Sequence, residues 1–401
     1  MKHVSCDVLV IGGGVAGTAA AVAAARCGLT TLLVEKKPYL GGTGYAGMFQ
    51  YICGLYLNGE TYPDDTLNGG IAREITALLN GASPERKIKK IGQVYVLPYS
   101  PYDLQYALQK LCSAENKLTV LNSADATEVI TLQNELKTIS IDSPGGKQEI
   151  NASMVIDCSG DASIADMAGA NCEKAPSEER QMAGYMVRLT GLRDADEILP
   201  IKVPYHLSQA VEKGLLPPLL RFTSFSQGES ADEGFCKLSL GGSDGPERDE
   251  EARKNAELML AYLSGALPAF KGAIIAGSSF TVLDREGSRI CGEYMLTEDD
   301  VLSARKFQDG IVKNSWPIEL WDNSKGTIYK YLPRGAYYEI PFRCLTVKGL
   351  SNLLAAGRCI SASHAALGSA RVMGSCITLG EKAGQAVANR IRNGKYPEGK
   401  F

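Results

Sequence analysis

The sequence is poor in histidine and has no closely paired cysteines. Among its 401 residues only His3, His206 and His364 carry an imidazole, and the eleven cysteines are scattered singly, with no C-x-x-C. Zinc and iron–sulfur sites want clustered ligands, so no metal centre is expected. Met1-Lys-His-Val-Ser leads straight into the first apolar segment, so no signal peptide is expected. An odd number of thiols in that setting points to reduced cysteines, most of them small core residues, and to a cytoplasmic location. A basic excess is missing as well. Lys and Arg number 42 against 45 Asp and Glu, a net charge of -3, which speaks against a nucleic-acid partner. The longest apolar stretch, Ala19 to Ala25, is rich in alanine and too short to span a bilayer. The remaining composition, 45% hydrophobic and 22% charged, is that of a globular chain long enough for a large core and two domains.

What the sequence does contain begins at Asp7-Val-Leu-Val-Ile-Gly-Gly-Gly-Val-Ala-Gly17. Val8 to Ile11 read as a buried strand, and the small residues Thr18 to Ala25 as a helix. Gly12, Gly14 and Gly17 form the G-x-G-x-x-G turn between them. Gly12 permits the tight turn, Gly14 the close approach of a pyrophosphate, and Gly17 the packing of helix on strand. The helix start, with Val15 and Ala16, offers free N–H groups and a positive dipole end to phosphates. Alone the motif is weak, but here a second strand, Thr30 to Val34, follows and ends at Glu35, an acid able to take both ribose hydroxyls. The chain is therefore expected to be α/β, with a Rossmann-like dinucleotide domain.

A glycine-rich loop comes next, Leu40-Gly-Gly-Thr43 running on to Gly47. Together with Gly12-x-Gly14-x-x-Gly17 and Glu35-Lys36, it resembles the FAD-binding start of the glutathione-reductase-type flavoproteins. The resemblance implies that Glu35 and Lys36 border the adenosine ribose and that Gly41, Gly42 and Thr43 run along the pyrophosphate toward the flavin. Cys53 stands alone where disulfide reductases carry a redox pair, so thiol exchange, which needs two thiols, is not expected, and core packing is the simpler reading of Cys53.

Gly70 to Leu79 reads as a helix and Arg86 to Lys90 as a solvated loop. Pro101 opens a helix to about Cys112 with Leu104, Leu108 and Leu111 on one face. After a third strand, Lys117 to Leu121, the segments 126–132, 136–142 and 148–151 alternate as an antiparallel meander with a turn at Ser143-Pro-Gly-Gly146. In the resembled flavoproteins the first meander strand, near Ala126, borders the adenine. Ser153 to Cys158 reads as a separate buried strand leading to Gly160-Asp161, which resembles their second Gly-Asp motif. Asp161 would then contact the cofactor, the alternative being a helix cap.

From residue 176 to about 335 the composition shifts. Met182 to Thr190 and Ser278 to Leu283 read as strands, Asp249 to Leu263 as an amphipathic helix, and 225–232 and 241–249 as polar loops. This is expected to be an inserted α+β substrate or cap domain between the two parts of the FAD domain, 1–175 and 336–401. Arg285-Glu-Gly-Ser-Arg289-Ile-Cys-Gly-Glu-Tyr294 and Leu296 to Val301 resemble a single-cofactor FAD-dependent oxidoreductase family, related to the flavoprotein subunits of fumarate reductase and succinate dehydrogenase. Arg285 and Arg289 would approach the flavin cavity or form surface salt bridges. The strand Asn352-Leu-Leu-Ala-Ala-Gly357-Arg358 is expected to bring Gly357 and Arg358 to the cofactor, and a last helix runs from about Cys376 to Arg392, stopping at Asn393-Gly394. In the resembled family its Gly374-Ser375 start faces the flavin pyrimidine.

FAD carries the redox chemistry, so the chain must orient a substrate and handle a proton. His364 is the candidate for proton exchange and Arg371 for holding a substrate carboxylate or flavin O2, both in a loop lining the flavin. No second G-x-G-x-x-G precedes another acidic strand end, so no dedicated nicotinamide domain is expected. The expected activity is that of an enzyme with non-covalent FAD, moving a hydride between flavin N5 and a small polar substrate with a carboxylate as its candidate anionic group. An electron-transfer subunit working with a donor or acceptor protein, and an isoprenoid or lipid reductase, are the alternatives.

Overall fold

A computed structural model describes residues 2–242 and 245–401. Ser243 and Asp244, within the expected polar loop 241–249, lie outside the described residues. Strand β1 (Lys2–Ile11), helix α1 (Val15–Arg26) and strand β2 (Thr31–Glu35) form the opening β–α–β unit. Helices α2 (Ile71–Ala82) and α3 (Pro101–Ser113) precede β3 (Leu118–Asn122). The meander is β4 (Asp125–Leu132), β5 (Glu135–Asp142) and β6 (Gln148–Asp157), followed by the short helix α4 (Ser163–Met167). The last of these strands corrects the expectation of two segments. One continuous β6 pairs with β5 through Gln148–Ile150 and, further along the same edge, with β13 (below) through Val155–Asp157.

A second unit follows, built from β7 (Ala183–Thr190), α5 (Leu199–Glu212), β8 (Ser224–Gln227), β9 (Gly234–Leu240), α6 (Arg248–Ala266) and β10 (Ile274–Ser278). Its sheet has the order β8-β9-β7-β10. The chain then returns through the hairpin β11 (Ile318–Asp322) and β12 (Gly326–Lys330) to β13 (Leu353–Ala355), α7 (His364–Ala370) and α8 (Met373–Asn393).

The main sheet has the order β3-β2-β1-β6-β5-β4, with β13 also on β6. Strands β3, β2, β1, β6 and β13 run parallel, and Val34, Ile11, Asp157 and Ala355 stand side by side in register. From β1 the chain crosses to β2 on one side and β6 lies on the other, so the ends of these strands open onto a switch point, where ligands bind in such sheets. Both faces of β1 are covered, as a parallel sheet requires. Val8 and Val10 join one core with α1, α3 and α8, and Leu9 and Ile11 another with the meander and α4. The separate core of the second unit runs from Ala183 to Val282, whereas Leu296, Val301, Ile311, Val312 and Ile318 pack in the core of the main sheet. The architecture is α/β, a Rossmann-like domain with a meander and an inserted unit.

Helix α1 is buried along Val15 to Ala25, and its alanines let α8 come close. A Cβ on Gly380 would lie 1.9 Å from the Ala16 carbonyl oxygen, and one on Gly384 would lie 2.4 Å from that of Ala20. Helix α8 starts three residues earlier than expected, at Met373, and ends as expected at Gly394, whose φ of 73° suits glycine.

Several local expectations are corrected. The strand expected at Ser278–Leu283 lies instead at Ile274–Ser278. Beyond it Ser279 turns inward, its hydroxyl accepting from Met186 N–H and donating to Gly47 carbonyl, and the chain leaves the sheet. The loop at Arg86–Lys90 carries a strand, Lys89–Ile91, paired with Val94–Val96, and Arg86 bridges Asp103 and Glu229 at 2.9 Å each. The segment holding His364 and Arg371 is a helix rather than a loop, because the Ser363 side chain caps it by accepting from Ala366 N–H at 3.2 Å.

Substituting Gly380 by Ala overpacks the α1–α8 contact. We expect a loss of about 1–3 kcal/mol in urea unfolding. An unchanged midpoint would contradict this close packing.

Candidate active site

The glycines of the opening turn have different reasons to be there. Gly12 has a φ of 101°, and a Cβ on it would sit 2.4 Å from the Cys158 carbonyl oxygen. A Cβ on Gly17 would sit 1.7 Å from the Gly12 oxygen. Gly14 is different. Its φ of -66° suits any residue, and a Cβ there would meet only the Gly42 Cα, at 4.0 Å. Neither the fold nor the packing requires glycine at 14, which leaves the close ligand approach expected from the motif as its reason. Beside it the N-terminus of α1 has no side-chain cap and no acidic residue in its first turn, so its dipole end faces outward uncompensated.

The second glycine loop closes on the first. Gly41 N–H donates to the Gly13 carbonyl at 2.8 Å, Gly14 and Gly41 form a parallel bridge, and a Cβ on Gly42 would lie 3.1 Å from Gly14 Cα. Thr43 opens the helical turn Thr43–Ala46. The buried Glu35 carboxylate accepts from Gly13 N–H at 2.5 Å and from Lys37 N–H at 2.7 Å, which leaves a lone pair on each oxygen. Lys36 is exposed, and Ala126 is buried near the β2 end, where Ala124 N–H donates to the Glu35 carbonyl at 3.0 Å.

Gly357 meets the first turn of α1, where its Cβ would stand 3.0 Å from the Ala16 Cβ. Arg358 Nε donates to the Gly160 carbonyl at 3.1 Å, and its guanidinium lies 3.3 Å from Asp161. Asp161 is half exposed and does not cap α4. That task falls to the buried Asp157, which sequence reasoning overlooked. Its carboxylate accepts from Ile164 N–H at 2.9 Å and Ala165 N–H at 3.3 Å, and from the Ser159 hydroxyl at 2.6 Å. Gly12, Gly14, Gly17, Gly41, Gly42, Gly160, Asp161, Gly357 and Arg358 thus converge around the α1 N-terminus. At the start of α8, which also lacks a side-chain cap, Gly374 N–H donates to the Cys53 carbonyl at 2.9 Å, and the buried Ser375 hydroxyl has no partner.

Next to that helix start lies a charged cluster of which sequence reasoning named Arg371 and Arg285 but missed Lys237, Glu319, Trp321 and Gln181. It joins Arg371 at the end of α7 with Lys237 of β9, Arg285, Glu319 and Trp321 of β11, Gln181 and Cys53. Lys237 Nζ stands 3.9 Å and the Arg285 guanidinium 3.8 Å from the centre of the Trp321 ring. Arg285 also donates to the Met182 carbonyl. Arg371 donates to the Glu319 carbonyl at 3.2 Å and weakly to the Gln181 side-chain oxygen at 3.4 Å. Arg371 Nε and Gln181 Nε2 are buried without an acceptor. The Glu319 carboxylate accepts from the indoles of Trp321 at 3.0 Å and Trp316 at 3.3 Å, and from Tyr329 at 3.4 Å.

Electrostatics within the cluster follow from burial and neighbours. Burial works against the Glu319 charge, yet Arg371, Lys237 and Arg285 together hold its carboxyl below the ordinary value. Burial and the other cations oppose the charge on Arg285 and Arg371. The Cys53 thiol is pushed up to about 12 by burial and by Glu319, so it stays protonated and unreactive.

His364 stands outside this cluster. Its Nδ1 lies 2.9 Å from Oε2 of Glu286, a buried carboxylate that also accepts from Gln181 N–H at 2.6 Å. Burial would raise the Glu286 carboxyl, but His364, the Gln181 N–H and Arg289 hold it low. Of the surface salt bridges considered for Arg285 and Arg289, the described residues show one, a long contact of 3.9 Å from Arg289 to the exposed Glu173. Both side chains are buried, Arg289 at 3.4 Å from Glu286.

The chain belongs to the FAD dependent oxidoreductase family, whose sequence pattern matches residues 7–399. It is an enzyme of that family, and its cofactor is FAD. A digeranylgeranylglycerophospholipid reductase 2 from Methanothermobacter thermautotrophicus is 32% identical over 189 residues, 45% of this chain and 46% of that protein, so the match spans under half of that relative. A probable electron transfer flavoprotein-quinone oxidoreductase, YgcN of Escherichia coli, is 38% identical over 71 residues, 18% of this chain and 16% of its own. Among solved structures, p-nitrophenol 4-monooxygenase PnpA from Pseudomonas putida superposes with a TM-score of 0.52 at 10% identity, covering 98% of this chain and 82% of that one, a likeness of fold. The open side of Gly14, the uncapped α1 and the unpartnered Ser375 hydroxyl fit an elongated phosphate-bearing group such as FAD. Among the described residues, no helix is long and apolar enough to cross a membrane.

If the pyrophosphate passes Gly14, Gly14→Val should abolish FAD retention while the free energy of urea unfolding of the apoprotein changes by less than about 0.5 kcal/mol. Gly17→Ala should lower both. A Gly14→Val protein that purifies with a full complement of FAD would contradict the placement of the pyrophosphate.

Proposed function

We propose that the protein transfers a hydride between flavin N5 and a small polar substrate that carries a carboxylate. The charge balance of the buried cluster carries this reading. Three cations, Lys237, Arg285 and Arg371, face the single carboxylate of Glu319, and donors on Arg371 and Gln181 lack acceptors. Burying such groups unpaired is costly, whereas a substrate carboxylate supplies both the negative charge and the lone pairs. Arg371 and Arg285 grip it by their planar forks, and Trp321 and Glu319 fix the cations around it.

FAD, when bound, supplies the two-electron chemistry. We assign its pyrophosphate to the first turn of α1, Gly12 to Gly17, with Gly41, Gly42 and Thr43 alongside. The ribose falls to the free lone pairs of Glu35, with Lys36 at the exposed rim, and the adenine borders Ala126. Gly160, Asp161, Gly357 and Arg358 close the other side, and the start of α8 receives the pyrimidine, where its dipole end stabilises developing negative charge. The binding is non-covalent in this reading, since His3 lies near the start of β1, at the end opposite Gly12, and His364 is engaged with Glu286.

His364 acts here as a positioning residue rather than the proton carrier that its residue type suggested. It balances Glu286, which holds Gln181, whose side-chain oxygen faces Arg371. The reading as an isoprenoid reductase draws on the name of the Methanothermobacter relative. Against it stand the charges around Trp321, which an isoprenoid chain would leave unpaired. Reading the chain as an electron-transfer subunit draws on the YgcN relative and would make turnover depend on a protein partner.

The discriminating experiment is anaerobic mixing of the flavoprotein with short hydroxycarboxylates, their amides, and an isoprenoid lipid. Carboxylates should bleach the flavin and the amides should not. Arg371→Met should weaken carboxylate binding by about 1.5–3 kcal/mol, or about 10–150-fold. Bleaching by the amides, or reoxidation of reduced flavin by the lipid alone, would overturn the reading. His364→Ala should lower turnover by about 10-fold with flavin retained and the shape of the pH profile unchanged.

A further inference from the structure

A hydride transfer leaves one proton to be placed, and the group that exchanges it must touch the substrate and change charge near neutrality. Several groups in the cluster fail that requirement. Arg285 and Arg371 keep their charge at any usable pH. Glu319 is ionised and its oxygens accept from Trp316, Trp321 and Tyr329. Cys53 stays protonated. His364 is separated from the cluster by Glu286 and Gln181.

Lys237 meets it. The residue lies on β9, an interior strand of the inserted sheet, in register with Met186 of β7 and Ser224 of β8. The groups facing its amine are Trp321 and Glu319 from β11, Arg285 from the segment after β10, Arg371 from the end of α7, and Cys53. Among the described residues the amine has no hydrogen bond or ion pair, only the Trp321 ring at 3.9 Å. It is half-buried, held by an aromatic face and free to serve another acceptor.

We propose that Lys237 is the residue that exchanges the substrate proton. In oxidation, the substrate C–H bond breaks and its electron pair leaves as hydride to flavin N5. The proton on the neighbouring hydroxyl passes to the neutral Lys237 amine. The substrate loses two electrons and two hydrogens, the flavin gains the hydride, and the lysine becomes an ammonium. In reduction the same atoms move in reverse, with the ammonium as donor. Burial, with Arg285 and Arg371 adding to it, brings Lys237 down to about 8, so both forms are present near neutral pH. This assignment rests on the hydride-transfer reading of the same site.

Two substitutions separate proton exchange from charge. Lys237→Arg keeps the cation and its contact with Trp321 but cannot titrate, and Lys237→Met keeps the aliphatic stem alone. The first readout needs no substrate. NMR titration of the FAD-loaded protein with labelled lysine should show one lysine titrating near pH 8, absent in Lys237→Met. The second is the pH profile of kcat/KM for oxidation of lactate or malate. The neutral amine is the active form in oxidation, so the rate should rise with pH through about 8, and for reduction it should fall over the same range. Lys237→Arg should lose that limb and about 10²-fold in kcat with KM little changed, whereas Lys237→Met should also raise KM. A Lys237 that titrates with ordinary lysines near about 10.4, or a pH limb that survives Lys237→Arg, would overturn the proposal. Failure of both hydroxycarboxylates to bleach the flavin, with the low-titrating lysine present, would instead count against the hydride-transfer reading and remove the proton role with it.

Discussion

The first turn of α1 presents N–H groups and a positive dipole end that no side chain of its own helix neutralises. Much of the molecule is arranged to keep that turn open. The register of β2, β1, β6 and β13 brings Val34, Ile11, Asp157 and Ala355 to one line, so the segments leaving all four strands meet there. Gly41 and Gly42 close over Gly13 and Gly14 from one side, and Gly357 approaches Ala16 from the other. Behind the turn, α8 packs so closely on α1 that Gly380 and Gly384 leave no room for a Cβ. The rigidity of that contact fixes the direction of the dipole, and it also fixes the start of α8 relative to the start of α1. Two helix N-termini are thereby held in one frame, as an elongated dianionic cofactor with a redox-active ring at its far end requires.

The inserted unit adds what a nucleotide-binding sheet lacks, a charged ceiling. Lys237 comes from its interior strand, Arg285 from the segment that leaves it, and Glu319 and Trp321 from the hairpin that returns to the main domain. Arg371 comes from just before α8, so one of the proposed anion-binding groups and the helix proposed to face the flavin share one stretch of chain. Ser279 ties the inserted sheet to the glycine loop, its hydroxyl linking the Gly47 carbonyl to the Met186 N–H. Movement of the inserted sheet would therefore shift Lys237 and the glycine loop together, and with them the geometry proposed for hydride and proton transfer.

The nucleotide cradle was legible in the sequence because its parts are local. A buried strand, three glycines at fixed spacing, an alanine helix and an acid at the end of the next strand fall within residues 7–35. The charged cluster was legible only in Arg371 and Arg285, because Gln181, Lys237 and Glu319 are far from them in the chain and only tertiary folding brings the five together. Two local hints existed. Lys237 is a lone cation within the apolar strand Gly234–Leu240, and Glu319 is a lone acid between Trp316 and Trp321. The helix at His364 carried a readable signal in the capping Ser363, but its two turns are too short for apolar periodicity to stand out. The strand expected at 278–283 failed because alternation continues past the point where Ser279 leaves the sheet to bond the glycine loop. Asp157, at the end of a strand with the sequence of a buried one, reads as part of the strand until its carboxylate is seen to gather the N–H groups of α4.

The central claim is that the buried cations beside the start of α8 form the carboxylate end of a substrate site facing FAD. A crystal structure of the FAD-loaded enzyme soaked with a short hydroxycarboxylate tests it most directly. The expected result is a carboxylate within hydrogen-bond distance of Arg371 and Arg285, with the substrate hydroxyl toward Lys237 and the reacting carbon toward flavin N5. A flavin ring lying away from this cluster, or the cations paired with one another's neighbours and the ligand elsewhere, would contradict it.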